Sequence, residues 1–417
     1  MNYKPNILHS WEGYSQRLLI KDIFAGITVG VIALPLSIAF AIASGLKPEV
    51  GIYTAIIAGF LISLLGGCRV QIGGPAGAFI IIVYGILHDY GLANLFIATS
   101  LSGLVLILMG FLKLGTLVKH IPQTIIYGFT NGIAILIGLT QIKDFLGLRN
   151  ELPSDFFGIV HEITKHLVEF NPFALGASLT CLAFIVTWRR IKAKMGFLAN
   201  VPETFLVLVI ATCAVKFLNL PIETIGSRFG GIPEHLPTWT PPQFDGVNIL
   251  NLLLPVLTLA ILGAIESLLC AKVADDITKT SHNSNQELVA QGLTNFLLPF
   301  FGGMPATGTI ARTVTSIHSG ANSPIAGVVH SLTLLLIVCF LSHLAKFIPL
   351  ACLAAILIYV AFHMGDWNKL LRPRQFVLAE RISIYSVFAL TVICNLVIAI
   401  LVGITWALLI NWYQKKG

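Results

Sequence analysis

Apolar runs of roughly 17 residues or more recur from Ile23 to Leu409, and each is long enough to cross a hydrocarbon core about 30 Å thick. A water-soluble fold cannot hide them all. Of 417 residues, 56% are hydrophobic and 11% charged, against about 25% charged in soluble domains. The bilayer is therefore the solvent, and the chain reads as an all-α polytopic membrane protein. The first run follows a polar leader and no small-residue cleavage site comes after it, so no removable signal peptide is expected. The 7 cysteines show no paired spacing and fall mostly inside apolar runs, as small hydrophobes do; neither disulfides nor a metal site is expected. A net charge of +7 could suggest nucleic acid, but the basic residues are spread over many short loops, as membrane orientation requires.

Polar breaks divide the chain into fourteen candidate segments near residues 22–43, 50–66, 76–90, 92–111, 121–141, 173–189, 202–219, 248–272, 286–301, 308–319, 323–343, 347–363, 383–397 and 399–413. With the N-terminus in the cytoplasm, eighteen of the 26 Lys and Arg residues fall on that side and seven on the other, while Arg312 lies within segment ten. Both ends are therefore expected on the cytoplasmic side of the inner (plasma) membrane, with an even number of spans. Twelve spans satisfy the bias as well. The longest polar connections, near 144–170 and 220–247, fall outside and are too short for a catalytic domain, and a cytoplasmic domain after Gly417 is not expected.

Segments three and ten are too short to span as ideal helices, and each opens on a Gly/Pro break. The first is Gly73-Gly74-Pro75-Ala76-Gly77 and the second Gly302-Gly303-Met304-Pro305-Ala306-Thr307-Gly308. Seven spans separate the breaks, which inverts the second half of the chain relative to the first. Interrupted segments at matching places in inverted halves point to a transporter's midplane binding site. Irregular backbone at depth survives only where it is buried or lines a cavity. Each following half-helix then begins with free N–H groups and the positive end of its dipole, so two facing starts favour an anion even without a charged side chain.

Arg312 sharpens this reading, because a guanidinium at a helix centre costs at least about 2.5–3.5 kcal/mol on insertion scales. It either supplies fixed charge and a bidentate fork beside the anion or reaches the interface from an extended loop. Glu266 on segment eight, with Ser267 beside it, could exchange a proton, ligate sodium, or pair permanently with Arg312. Hydroxyls of Thr307, Thr309, Thr313 and Ser316 matter only if they face the pocket. His330 reads as a structural histidine. Walker loops, HExxH and GxSxG are missing, so neither ATP-driven transport nor an enzyme is expected, and no cofactor.

The first span runs Ala25-Gly26-Ile27-Thr28-Val29-Gly30 through Ala33-Leu34-Pro35-Leu36-Ser37-Ile38-Ala39-Phe40 to Ala43-Ser44-Gly45. After it, in order, come Gln71 to Gly77, the stretch Asn285-Gln286-Glu287-Leu288-Val289-Ala290-Gln291-Gly292, and Ala311-Arg312-Thr313 followed by Gly320 and Ala326-Gly327. With these motifs the chain resembles the SulP anion transporters over essentially its whole length. The resemblance implies fourteen helices in a seven-plus-seven inverted repeat of the uracil-permease type. It also implies a core (about 22–111 and 248–343), a gate (about 121–219 and 347–413), and elevator-like movement of the core. The anion would sit at Gly74, Pro75, Ala76, Gly77 and Ala78 on the first break and Gly308, Thr309, Ile310, Ala311 and Arg312 on the second. The position tied to coupling falls on Glu266, with Cys270 one turn beyond.

Ala76 and Ala311 stand where many members have hydroxyl residues. Cys270 and Ile310 replace the threonines of sodium-coupled bicarbonate members, and a hard cation wants oxygen. Proton coupling is therefore expected ahead of sodium. The family's usual cytoplasmic STAS domain is not found in this sequence. The expected activity is proton-coupled symport of a small inorganic oxyanion, sulfate or bicarbonate. Sodium-coupled bicarbonate symport, proton-nucleobase symport on the same fold and a passive anion channel are the alternatives. The partners are the anion, the coupling ion, the lipid bilayer and, in a homodimer, a second copy.

Overall fold

The computed structural model describes residues 4–8, 14–118, 123–153, 155–191, 202–232, 237–242, 249–372 and 375–393, with short stretches at 399, 402–403 and 405–406. Segment fourteen and Cys394 thus lie almost wholly outside the described residues. Most of the helices are apolar on every side, as expected of helices that meet lipid or protein all round. They are α1 (Gln16–Ala43), α2 (Pro48–Leu65), α3 (Ile80–Phe111), α4 (Gln123–Leu146), α5 (Pro172–Ile191) and α6 (Glu203–Leu218) in the first half. The second half adds α7 (Ile249–Thr278), α8 (Ser284–Leu297), α9 (Ile310–His318), α10 (Ile325–Ala345), α11 (Leu350–Met364) and α12 (Leu378–Ile393). Among the described residues, 7 helices are long and apolar enough to cross a membrane.

Segments three and four meet at Gly91, whose φ 83° and ψ 171° are open only to glycine and lie outside the helical region, so α3 is two helices joined at a kink, as the sequence break there indicates. Segment ten is the nine-residue helix α9, which excludes the extended-loop alternative for Arg312. Segment nine ends early: α8 passes into a 3₁₀ turn at Leu298–Phe301 before the second break.

The helices pack in two groups. In one, α3 lies against α8 and α7, α1 against α10 and α2, and α2 against α10. In the other, α4 is the hub, flanked by α12 and α11, with α5 and α6 alongside. Helices in lipid gain little from hiding apolar surface, so close backbone approach matters more. Gly26 of α1 sits against the Ala326 carbonyl and Val329 of α10, and Gly103 of α3 meets Phe296 and the Gly292 carbonyl of α8. A side chain on Gly292 would press on the Ile107 amide, with a Cβ only 2.6 Å from it. Outside the membrane-spanning helices, Arg228 bonds Asp144 of α4 at 2.8 Å and also pairs with Glu223, tying the loop after α6 to α4. Burial alone would lower the Arg228 pKa, but the two carboxylates outweigh it and hold it above its ordinary value.

Gly292→Leu should force α3 and α8 apart and lower stability by about 1–3 kcal/mol or more. By contrast Gly138→Ala, where an added Cβ meets nothing within 4 Å, should be neutral or slightly stabilising. Thermal unfolding in detergent separates the two.

Candidate functional site

The two Gly/Pro breaks meet. Gly73–Gly74 (β1) and Thr307–Gly308 (β2) form an antiparallel ladder with Gly73 opposite Gly308 and Gly74 opposite Thr307, all four residues buried. Each break thereby supplies the other's missing hydrogen bonds, which satisfies irregular backbone where lipid offers none. The crossing is reinforced on one side by the Thr309 N–H and hydroxyl, both donating to the Ile72 carbonyl at 3.0 Å. On the other side the Ile72 N–H donates to Thr313 Oγ1 at 3.1 Å. Glycine is required here because a Cβ on Gly74 would strike Arg312 Nη1 and one on Gly308 would strike Gln71 Nε2.

Both chains leave the ladder into a helix start. Residues Gly77–Phe79 form a 3₁₀ turn that leads into α3, with Ala76 as N-cap, and Thr309 is the N-cap of α9. Neither cap side chain bonds the first turn. The opening amides, at Gly77 and Ala78 and at Ile310 and Ala311, are thus left to a ligand or water. The Gly77 turn faces Phe40 of α1, Ile137 of α4 and Met364 of α11, at 3.2–3.7 Å from where a Cβ would stand. Ile310, 38% exposed, and Ala311 are the accessible side chains of the α9 start. Side-chain hydroxyls are absent from this lining, so selection falls to backbone N–H groups and the helix dipoles.

Arg312 does not join them at the surface of the site. It is 2% exposed and turns inward behind the ladder, where Nη2 donates to Ser37 Oγ of α1 at 3.0 Å and Nη1 lies against Gly74 with no hydrogen-bond partner. Its fork is aimed at α1 and β1, and what it offers an anion near the helix starts is charge at short range. Among the described residues no carboxylate pairs with it, so the permanent Glu266–Arg312 ion pair does not form. Glu266 is partly exposed on α7 and has neither hydrogen-bond nor ion-pair partner among the described residues. Thr307 Oγ1 donates to the Gly263 carbonyl of α7 at 3.2 Å, which fixes that helix against the ladder one turn before Glu266. Cys270, buried, donates its thiol to Thr313 Oγ1 at 3.2 Å and so joins α7 to α9. Among the described residues no cluster of three or more His, Cys, Asp or Glu is placed to hold a metal.

Sequence reasoning singled out Glu266 and missed Glu287 and Asp22, both 0% exposed. Glu287 on α8 accepts from the Gly67 and Cys68 amides at 2.9 and 3.0 Å, from Gln71 Nε2 at 3.0 Å, from Gln291 Nε2 at 3.1 Å and from Ser267 Oγ at 3.4 Å. Asn295, two turns along α8, exchanges two 2.8 Å hydrogen bonds with the backbone of Ala306 just before β2. One face of α8 therefore holds both breaks in register. The sequence carries a partial signal: polar residues at 287, 291 and 295 recur at helical spacing on one face of α8, although Ser284, Asn285, Gln286 and Thr294 make the helix polar elsewhere too. Asp22 accepts from the Asn322 and Ser323 amides, the Ser323 hydroxyl and Tyr14, and closes the far end of the same helix group.

Asn295→Leu would leave both polar groups of Ala306 buried without partners, at about 1–3 kcal/mol each. It should lower the melting temperature in detergent more than Asn94→Leu, whose amide bonds only its own helix at an exposed position.

The sulfate permease family model matches residues 19–389. The chain is 43% identical over 399 residues to YvdB of Bacillus subtilis (strain 168), covering 95% of this chain and 74% of that one. It is 33% identical over 392 residues to the bicarbonate transporter BicA of Picosynechococcus sp. (strain ATCC 27264 / PCC 7002 / PR-6), covering 92% and 68%. The solved transmembrane domain of a cyanobacterial BicA superposes with a TM-score of 0.81 at 32% identity, over 94% of this chain and 98% of that one. With a matched model over most of its length and relatives at this identity, the chain belongs to the sulfate permease family of membrane anion transporters.

Proposed function

We propose that the chain is a secondary active transporter of a small inorganic oxyanion, sulfate or bicarbonate, held between the starts of α3 and α9. The observation that carries this reading is the β1–β2 ladder, which brings two uncapped helix starts together at a buried crossing. Their partial charges, roughly half a unit each, add to the full charge of Arg312 behind them. Sulfate is suggested by the family's description and bicarbonate by BicA. A flat nucleobase would need amide or carboxylate partners, and the lining residues Gly77, Ala78, Ile310 and Ala311 offer none.

In this reading the α1–α3 and α7–α10 group is the moving core and the α4–α6 and α11–α12 group the gate, within a fourteen-span, seven-plus-seven inverted repeat with cytoplasmic ends. The start of α3 lies against the gate side chains Ile137 and Met364, which suits a core that slides past them with the anion aboard. Glu266, half-buried beside the ladder and without a partner among the described residues, is the proposed proton carrier. Sodium is disfavoured because Ile310 has no oxygen and the Cys270 thiol is engaged with Thr313.

Uptake of labelled sulfate, bicarbonate and fumarate into proteoliposomes, under separate proton and sodium gradients, tests substrate and coupling together. An inward proton gradient should drive uptake of one oxyanion, with no response to sodium; sodium-driven bicarbonate uptake would select the alternative reading. Glu266→Gln should leave downhill exchange intact but abolish stimulation by external acid. Arg312→Ala should reduce uptake at least tenfold, whereas Ser37→Ala, which removes only its hydroxyl partner, should retain most of it; equal loss in both would assign Arg312 a purely structural part.

A further inference from the structure

The gate group carries a groove that the transport reading does not use. It lies between the C-terminal halves of α5 and α11, with a volume of about 430 Å³. Its walls are Leu182 and Val186 of α5 and Ile358 and Phe362 of α11. Its end is basic, with Arg189 and Arg190 on α5 and His363 on α11. Arg189 Nη1 donates to Tyr359 Oη at 3.1 Å, which holds the guanidinium over the groove. The Tyr359 ring in turn lies 4.2 Å from that of His363, whose Nδ1 is bonded to the Tyr359 carbonyl at 2.9 Å. Among the described residues no carboxylate pairs with Arg189 or Arg190.

From Leu182 to Arg189 the α5 axis rises about 10 Å, so the groove passes from the charged level into the apolar layer. The Lys and Arg distribution places this end of α5 on the cytoplasmic side, where Lys192 and Lys194 follow in sequence. Anionic lipids concentrate in that leaflet, and basic pockets between helices there take acidic headgroups. Two guanidiniums that no carboxylate among the described residues neutralises, above an apolar channel, complement a phosphate carrying a hydrocarbon tail, and leave a neutral or cationic headgroup without a partner.

We propose that this groove is a binding site for an anionic phospholipid, with the phosphate at Arg189 and Arg190 and one acyl chain along Leu182, Val186, Ile358 and Phe362. The site bears on transport through α11, because Met364, next to His363, is one of the side chains facing the Gly77 turn. The inference does not depend on which anion is carried.

Native mass spectrometry of the purified full chain, titrated with dioleoyl phosphatidylglycerol or dioleoyl phosphatidylcholine, tests it. The wild type should retain phosphatidylglycerol preferentially. Arg189→Gln with Arg190→Gln should weaken that binding about thirtyfold, at about 1 kcal/mol per basic residue, with phosphatidylcholine unaffected. Ile358→Trp, which fills the apolar channel and keeps both arginines, should weaken it as well. Glycerol 3-phosphate should not compete. Equal retention of the two lipids by the wild type, unchanged phosphatidylglycerol affinity in the double variant, competition by glycerol 3-phosphate, or cross-links at Phe362 to a second copy instead of lipid would each overturn the proposal.

Discussion

The whole arrangement depends on a four-residue ladder. A backbone that leaves the helix inside a bilayer loses hydrogen bonds that lipid cannot replace. Here the two interruptions repair each other, Gly73–Gly74 against Thr307–Gly308, although 233 positions separate their partnered ends in sequence. Once paired, the chains can leave the crossing only by starting helices, and those starts carry unfilled amides. The polarity of the site is thus a by-product of the solution to a backbone problem.

The ladder is held by neighbours that each take a separate share. Helix α8 grips both interruptions from one face, through Glu287 on the first and Asn295 on the second. Helix α7 is stitched to the crossing by Thr307 and Cys270. Helix α1 receives Arg312 through Ser37. Because Arg312 is sealed behind Gly74, its charge reaches the helix starts through low-dielectric protein, where a charge is felt more strongly than in water. Charge supplied from behind, with direct contacts left to rigid backbone, suits a site that must release its cargo. A guanidinium fork gripping the anion directly would hold it more tightly.

Much of this was legible in the sequence because its causes are local. Apolar run length gave the helices, and the paired Gly/Pro motifs marked the breaks. Gly91 was read as a boundary between two segments and is one, since its φ 83° and ψ 171° interrupt the helical path of Ile80–Phe111. Arg312 was placed next to the site by its position on α9, but the direction of its side chain was not, because that is set by the Ser37 hydroxyl on a helix 275 residues away. Glu287 was quoted only as part of a motif. Its burial depends on the Gly67 and Cys68 amides, a long-range partner that no local pattern announces. The Glu266–Arg312 pair was an attractive guess from chemistry alone, and it fails because Arg312 points toward Ser37 of α1 and leaves Glu266 on α7 without a partner among the described residues.

The central claim is that the opening amides of α3 and α9 hold the anion. Anomalous diffraction from crystals soaked in selenate and in bromide locates a bound anion directly. The account predicts a peak within hydrogen-bond distance of the Gly77–Ala78 and Ile310–Ala311 amides, about 2.7–3.2 Å for N–H···O, with Arg312 still bonded to Ser37. A peak elsewhere, or one gripped by an Arg312 that has swung out of its burial, would contradict it.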